Sequence, residues 1–226
     1  GAVIHEHSPV VDAETGSRPF VRTAHGRVNA KFVIIACNGY LGRLIPELYG
    51  KVLPVTSYII TTEPLGEARA RQLIRDGEAV ADTNFIVDYF RMTPDTRLLF
   101  GGRASYTTKE PASVASAMHA DMTRVFPQLH DARVDYAWGG YIAITHNRIP
   151  ACGRLSATAY YALGYSGQGV ALAGLYGKLI AEAVRGTAER FDLLSRVRHL
   201  PFPGGPVRVP LLAAAMLYYR LKDAIG

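Results

Sequence analysis

The residues best suited to chemistry lie in YYALGYSGQGVALAGLYGKLIAEAV, residues 160–184, where an apolar run breaks at Gly164, Gly167 and Gly169 and resumes with helical spacing. A glycine bend between a strand and a helix aims backbone N–H groups at something electron-rich, because the first turn of a helix has donors without intrahelical partners. A second candidate set is Tyr89 and Arg91 in VDYFRM. Two residues apart on a strand, they share one face and suit a grip on a carboxylate or another polar group; an exposed Tyr–Arg pair on a solvated sheet is the alternative. The histidines, at 5, 7, 25, 119, 130, 146 and 199, show no ligand spacing such as H-E-x-x-H, and nothing local supports a Ser-His-Asp order. Cys37 and Cys152 stand far apart and form no C-x-x-C, so the sequence indicates neither a disulfide framework nor a metal site.

The elements around the glycine bend decide how it is read. A dinucleotide-binding turn opens a βαβ unit, with a second strand and an acidic residue about 20 positions on. Here the helix is followed by GTAERFDLLSRVRHLPFPGGPVRVP, polar and then rich in Pro and Gly. The bend therefore closes a domain. At the other end of the chain, 2–11, 20–23 and 27–36 read as three strands of a β-meander with turns at ETGS and AHG. The run Phe32–Ala36 lacks polar alternation and is expected to be buried on both faces, as in a parallel sheet whose other strands this sequence does not supply. The middle differs. VLPVTSYIITTEPL, FIVDYFRMTPDTRLLFGGR and ARVDYAWGGYIAIT are long alternating segments suited to an antiparallel sheet. Helices are expected over 66–75 and 112–125, the second with Pro111 in its first turn and Val114, Met118, Met122 and Val125 on one face. A short helix over 211–222 is expected beyond the linker PFPGGPVRVP.

With 226 residues, 49% apolar and 19% charged, the chain has enough apolar content for a real core. Its net charge of +6 is scattered, without the basic stripe and interleaved aromatics of nucleic-acid binding. No run approaches the roughly 18 apolar residues of a membrane span and the amino terminus is not signal-like, so a soluble chain is expected, and the absence of a disulfide pattern fits a reducing cytoplasm best.

FVIIACNGYLGRLIPEL, LPVTSYIITTEPL, RLLFGGR, WGGYIAITHNRIPACGRL and YYALGYSGQGVALAGLYGKLIAEAV together resemble, in this order, the flavin-dependent amine and amino-acid oxidoreductases of the D-amino-acid oxidase superfamily. Glycine and sarcosine oxidases belong there, and the look is most like that of the gamma-glutamylputrescine oxidase group. The resemblance covers residues 1 to about 186. It implies an α+β / α/β fold: a partial FAD-binding Rossmann-like domain lacking its amino-terminal βαβ unit, in 1–48 and 139–196, and an antiparallel-sheet substrate domain in 49–138. Residues 197–226 would be linker and terminal helix. The family's Gly-x-Gly-x-x-Gly unit is absent, so the chain is expected to be a carboxy-terminal half that works with a missing amino-terminal FAD-binding half and, alone, is inactive.

The same resemblance implies the site. Gly164, Gly167, Gln168, Gly169 and Val170 would turn a helix amino terminus toward the flavin pyrimidine edge, with the glycines allowing close approach. Ala36, Cys37, Asn38 and Gly39 would approach the cofactor from a strand end, Val10 would pair with adenine through its backbone, and Gly140 would border the flavin. Tyr89, Arg91, Trp138 and Tyr141 would face the substrate. Glycine oxidase-like members carry a carboxylate-binding Arg near the position of Ile142, so an amine, in particular a gamma-glutamylated amine, fits better than glycine. Sarcosine oxidases attach flavin through a Cys near the place of Trp138; none occurs here, which implies non-covalent FAD. The activity implied is oxidation of a CH–NH bond with hydrolysis of the imine. A non-catalytic binding or scaffolding domain derived from such an oxidase is the alternative.

Overall fold

The computed structural model describes residues 1–84, 87–105, 111–203, 205–207, 210, 211, 213, 214 and 218. The strands run β1 (Val10–Glu14), β2 (Phe20–Thr23), β3 (Arg27–Asn29), β4 (Val33–Ile35), β5 (Leu53–Thr62), β6 (Val80–Ala81), β7 (Tyr89–Met92), β8 (Leu98–Ser105), β9 (Val134–Ile144), β10 (Ala151–Ser156) and β11 (Ala159–Leu163). The helices are α1 (Pro46–Tyr49), α2 (Glu67–Leu73), α3 (Val114–Val125), α4 (Gly169–Val184) and α5 (Glu189–Ser195). They fall into two compact units, Gly1–Pro54 with Ile142–Gly205 and Val55–Tyr141 with Pro206–Gly226. The mixed class with an antiparallel sheet and helices is as expected.

In the first unit β1, β2 and β3 form an antiparallel meander, and β10, β11 and β4 form a second sheet in which β4 runs parallel to β11. The single strand expected over 27–36 is thus two. Ala30 N–H still donates to Pro19 O at 3.1 Å inside the meander, whereas Val33 N–H donates to Thr158 O at 2.9 Å beside β11. The first strand also starts later than expected, at Val10 rather than Ala2. One face of the second sheet, with Val33, Ile35, Tyr161 and Leu163, packs on Leu41, Ile45 and Leu48. The other face carries Tyr160 and Ala162 under Tyr176, Leu179, Ile180 and Ala183 of α4 and Phe191 of α5. That layer reaches β11 and stops there, so Ile34 on β4 is 49% exposed instead of doubly buried.

The polar stretch after α4 hides the helix α5, which the composition did not signal. Its single buried residue, Phe191, anchors it, and Arg154 reaches from β10 to pair with Asp192 while lying over the Tyr160 and Phe191 rings. The chain then returns across the unit. Phe202 N–H donates to Gly50 O at 3.0 Å and Asn147 Nδ2 donates to Arg198 O at 3.3 Å.

In the second unit the sheet order is β6-β7-β8-β5-β9. Its covered face presents Tyr58, Ile60, Met92, Leu98 and Phe100 to Ala70 and Ile74 and to Met118 and Met122 of α3. Complete burial of the two methionines contributes about 1.5–3 kcal/mol each. Ser113 caps α3 by accepting the Ser116 N–H at 3.2 Å, so the helix starts after Pro111 rather than on it. Val125 is exposed, against expectation, because the buried row steps from Met118 to Met122 and then to Phe126 beyond the helix end. Phe126 meets the Phe90 ring edge-on at 4.9 Å. The terminal helix expected over 211–222 lies for the most part outside the described residues.

His199, in the returning segment of the first unit, has both ring nitrogens buried without a hydrogen-bond partner among the described residues. Burial, and secondarily the charge of Lys51, hold its pKa below the ordinary 6.5. The imidazole is therefore neutral in the fold near pH 7, and as the pH falls through about 6.5 the unfolded chain takes up the proton more readily than the folded one, so this group costs stability there. Urea denaturation at pH 7.5 and 5.5 is expected to show a loss that His199→Gln reduces. An identical loss in the variant would assign the pH dependence to other groups.

Candidate functional site

The glycine turn is built from the end of β11. Gly164 has φ +76° and Gly167 φ +96°, conformations in which glycine has no Cβ clash, and Ser166 between them also has a positive φ, +53°. A set of hydrogen bonds holds this backbone. Ser166 N–H donates to Ala143 O at 2.9 Å, its Oγ donates to Gly164 O at 3.2 Å and accepts from Thr145 N–H at 3.3 Å. Asn38 Oδ1 accepts the Gly164 N–H at 3.0 Å. Asn38 follows β4, itself has φ +46°, and so ties the carboxyl end of β4 to the entry of the turn. Ser166 and Thr145 were not singled out from the sequence; a serine between two turn glycines was the available signal.

The turn delivers the start of α4. Gln168 at the N-cap makes no side-chain capping bond, and there is no acidic residue in the first turn. The first intrahelical bond is Leu172 N–H to Gln168 O at 3.1 Å. The N–H groups of Gly169, Val170 and Ala171 thus precede the hydrogen-bonded ladder, and Val170 is fully exposed. The glycines are not equivalent. A Cβ on Gly164 would lie 2.5 Å from Thr145 Cγ2 and 3.1 Å from Val52 Cγ1, so this glycine also serves packing. Around Gly167 there is nothing within 4 Å, and the turn there faces open space. Gly169 has no positive φ and only ordinary contacts to Tyr165, so close approach does not demand glycine at that position.

Beside Asn38, the exposed Ala36 and the half-buried Cys37 line an open, mainly apolar cleft of ≈ 540 Å³ together with Val10, Val21, Tyr40 and Leu44. The structure therefore brings Val10, Ala36 and Cys37 to one cleft, and Asn38 to the glycine turn. Gly39 lies in the single 3-10 turn Asn38–Tyr40. Burial raises the Cys37 thiol above its ordinary value, and burial pushes Cys152 up to about 11, so neither is a thiolate near neutral pH. Among the described residues no group of three or more His, Cys, Asp or Glu is arranged to hold a metal ion, and no helix is long and apolar enough to cross a membrane.

The remaining candidates lie in the second unit. Tyr89 and Arg91 occupy alternate positions of β7, and Phe90 and Met92 between them turn to the covered core. Arg91 is exposed. Tyr89 is half-buried, and its Oη lies 3.2 Å from Ser57 Oγ on β5. On β9, Trp138 is 45% and Tyr141 39% exposed, with Gly140 half-buried between them.

Residues 1–183 match DAO, the family described as FAD dependent oxidoreductase. The chain belongs to this family. It is 43% identical to gamma-glutamylputrescine oxidoreductase of Escherichia coli K12, over all of this chain and 54% of that protein. It is 39% identical to a probable oxidoreductase, OrdL, of Haemophilus influenzae, over 99% of this chain and 52% of that protein. The chain thus spans about half the length of these relatives. Among solved structures, glycine oxidase from Geobacillus kaustophilus superposes with a TM-score of 0.69 at 22% identity, over 88% of this chain and 54% of that one. L-proline dehydrogenase from P. horikoshii gives 0.61 at 21% identity, over 79% and 50%. These last two show that the DAO-family chain shares their fold.

The features of the first unit fit a flavin dinucleotide: helix donors at an exposed amino terminus suit an electron-rich edge, and the apolar cleft suits a flat aromatic group. The two positive-φ glycines can be separated by substitution. Gly164→Ala is expected to lower the unfolding free energy by about 2–4 kcal/mol, from backbone strain together with overpacking. Gly167→Ala, facing open space, should lose only about 1–2 kcal/mol. Equal losses in urea titrations would show that the contacts of Gly164 with Thr145 and Val52 are not decisive.

Proposed function

We propose that this chain is part of an FAD-dependent oxidoreductase that oxidises the CH–NH bond of an amine or amino acid, with a gamma-glutamylated amine as the preferred substrate class. The observation that carries the reading is the start of α4, uncapped and exposed after a turn held in place by Asn38, Ser166 and Ala143. A helix amino terminus carries roughly half a positive charge, and donors fixed in advance need no reorganisation when negative charge develops beside them. Family membership supports the cofactor, and the 43% identity to a gamma-glutamylputrescine oxidoreductase supports the substrate class.

In this reading FAD, bound without a covalent link, would supply the redox chemistry as hydride acceptor for the substrate α-carbon. Gly164, Gly167, Gln168, Gly169 and Val170 would present the turn and the first helical donors to its pyrimidine edge. Ala36, Cys37, Asn38 and Gly39 would let the end of β4 approach it, Val10 would offer backbone groups to adenine, and Gly140 would border the ring system. Tyr89, Arg91, Trp138 and Tyr141 hold the substrate: the phenol by hydrogen bonding, the guanidinium by charge, the two large aromatic surfaces by excluding water. The imine product hydrolyses in solvent. An amino-terminal segment supplying the βαβ unit completes the cofactor site, and a cytoplasmic location is part of the proposal.

Acid precipitation of the full-length protein is expected to release all of its yellow colour into the supernatant, as non-covalent FAD. Under anaerobic conditions, a gamma-glutamylated diamine should bleach the bound flavin at least tenfold faster than glycine. A colourless full-length protein would favour a scaffolding role, and equal bleaching by glycine would remove the substrate assignment.

A further inference from the structure

The second unit contains a holder for the Tyr89 side chain that neither the sequence motifs nor the family assignment names. Tyr89 on β7 pairs with Gly101 on β8. A Cβ built on Gly101 would fall 2.2 Å from Tyr89 Cε2, 2.3 Å from Cζ and 2.6 Å from Oη. The ring therefore lies across β8 directly over the Gly101 backbone, in space that any other residue would fill. Having crossed β8, the phenol reaches β5, where its Oη meets Ser57 Oγ at 3.2 Å. The side chain thus spans three adjacent strands, and its polar tip is fixed at the far end. The next glycine, Gly102, lets Asp88 lie down in the same way, with Oδ1 2.1 Å from a built Cβ.

The ladder opposite Ser57 is irregular. Thr56 pairs with Ser105 and Tyr58 with Gly102, so β8 has an extra residue opposite Ser57 and the register slips at that point. Bulges of this kind are over-represented beside functional sites. A tyrosine needed only for packing would gain its stability from ring burial, without a fixed hydroxyl. Here the ring is left half-buried on the face opposite the helices, while the hydroxyl has a side-chain partner.

We infer that Ser57 and Gly101 are positioning residues for the substrate interaction of the Tyr89 phenol: Gly101 provides the slot for the ring, and Ser57 fixes the direction of the hydroxyl. This rests on the reading of Tyr89 as a substrate-facing residue. Because the interaction is with bound substrate rather than with the bond being broken, loss of positioning raises KM and leaves kcat nearly unchanged. Holding a hydroxyl in place with a neutral hydrogen bond corresponds to a KM change of roughly three- to tenfold.

The experiment compares Tyr89→Phe, Ser57→Ala, Ser57→Thr, Gly101→Ala and the Tyr89→Phe/Ser57→Ala double variant in the full-length, FAD-loaded protein. The expected result is a similar rise in KM for Tyr89→Phe and Ser57→Ala, no further rise in the double variant, and recovery in Ser57→Thr, which keeps the hydroxyl. Gly101→Ala, which displaces the ring without removing it, should match Tyr89→Phe. A second readout needs no turnover: with 3-fluorotyrosine incorporated, the Tyr89 fluorine resonance, assigned by its loss in Tyr89→Phe, should shift in Ser57→Ala and return in Ser57→Thr. If Tyr89→Phe raises KM while Ser57→Ala changes neither KM nor the resonance, the positioning role of Ser57 is overturned and the reading of Tyr89 stands. If Tyr89→Phe leaves KM unchanged, both are overturned.

Discussion

The hydrogen bond from Gly164 N–H to Asn38 Oδ1 is the contact on which the arrangement of the first unit depends. Parallel pairing of β4 with β11 brings two carboxyl strand ends side by side, the place where open α/β sheets bind ligands. Pairing alone leaves the loops that follow free to diverge. Asn38, in a left-handed conformation that asparagine tolerates better than most residues, turns its amide across and joins them. The consequence is local. The entry of the glycine turn, and with it the direction of α4, is set from the strand that also lines the apolar cleft.

The turn itself separates two uses of glycine that look alike in a sequence. Gly164 has a positive φ and neighbours where a side chain would be, so it is both a conformational and a packing requirement. Gly167 has a positive φ and open surroundings, so only its backbone shape is demanded by the protein. Gly169 has neither restriction. The difference matters for function because space left free at a helix amino terminus is where a ligand can meet the unpaired donors, whereas space filled by Thr145 and Val52 cannot serve that end.

In the second unit the organising constraint is steric. The sheet buries one face under α2 and α3, and along β7 the alternation sends Phe90 and Met92 into that core and leaves Tyr89 and Arg91 on the other side. Two consecutive glycines on β8 then allow Tyr89 and Asp88 to lie flat on the strand instead of standing away from it. Glycine weakens a strand interior, and its presence twice in succession there is explained by these two side chains. Arg97 stabilises the same sheet near its end, reaching Asp135 at 2.5 Å and Thr62 O at 2.9 Å.

Much of this was legible without the fold. Alternation marked β5, β7, β8 and β9, helical spacing marked α2, α3 and α4, and the run of ordered motifs pointed to the family that residues 1–183 match. These features are local, since side-chain period and turn chemistry are set over a few residues. The division of 27–36 into two strands was not legible, because it depends on Thr158, more than a hundred residues away, offering its carbonyl to Val33. Nor was α5, which a single buried Phe191 and the partnership of Arg154 with Asp192 hold to the sheet. The same reason applies at the site. Turn chemistry nominated Gly164, strand spacing Tyr89 and the family resemblance Asn38, but their partners, Gly164 for Asn38 and Ser57 with Gly101 for Tyr89, are neighbours only once strands distant in sequence have paired, so only tertiary structure decided which groups hold them.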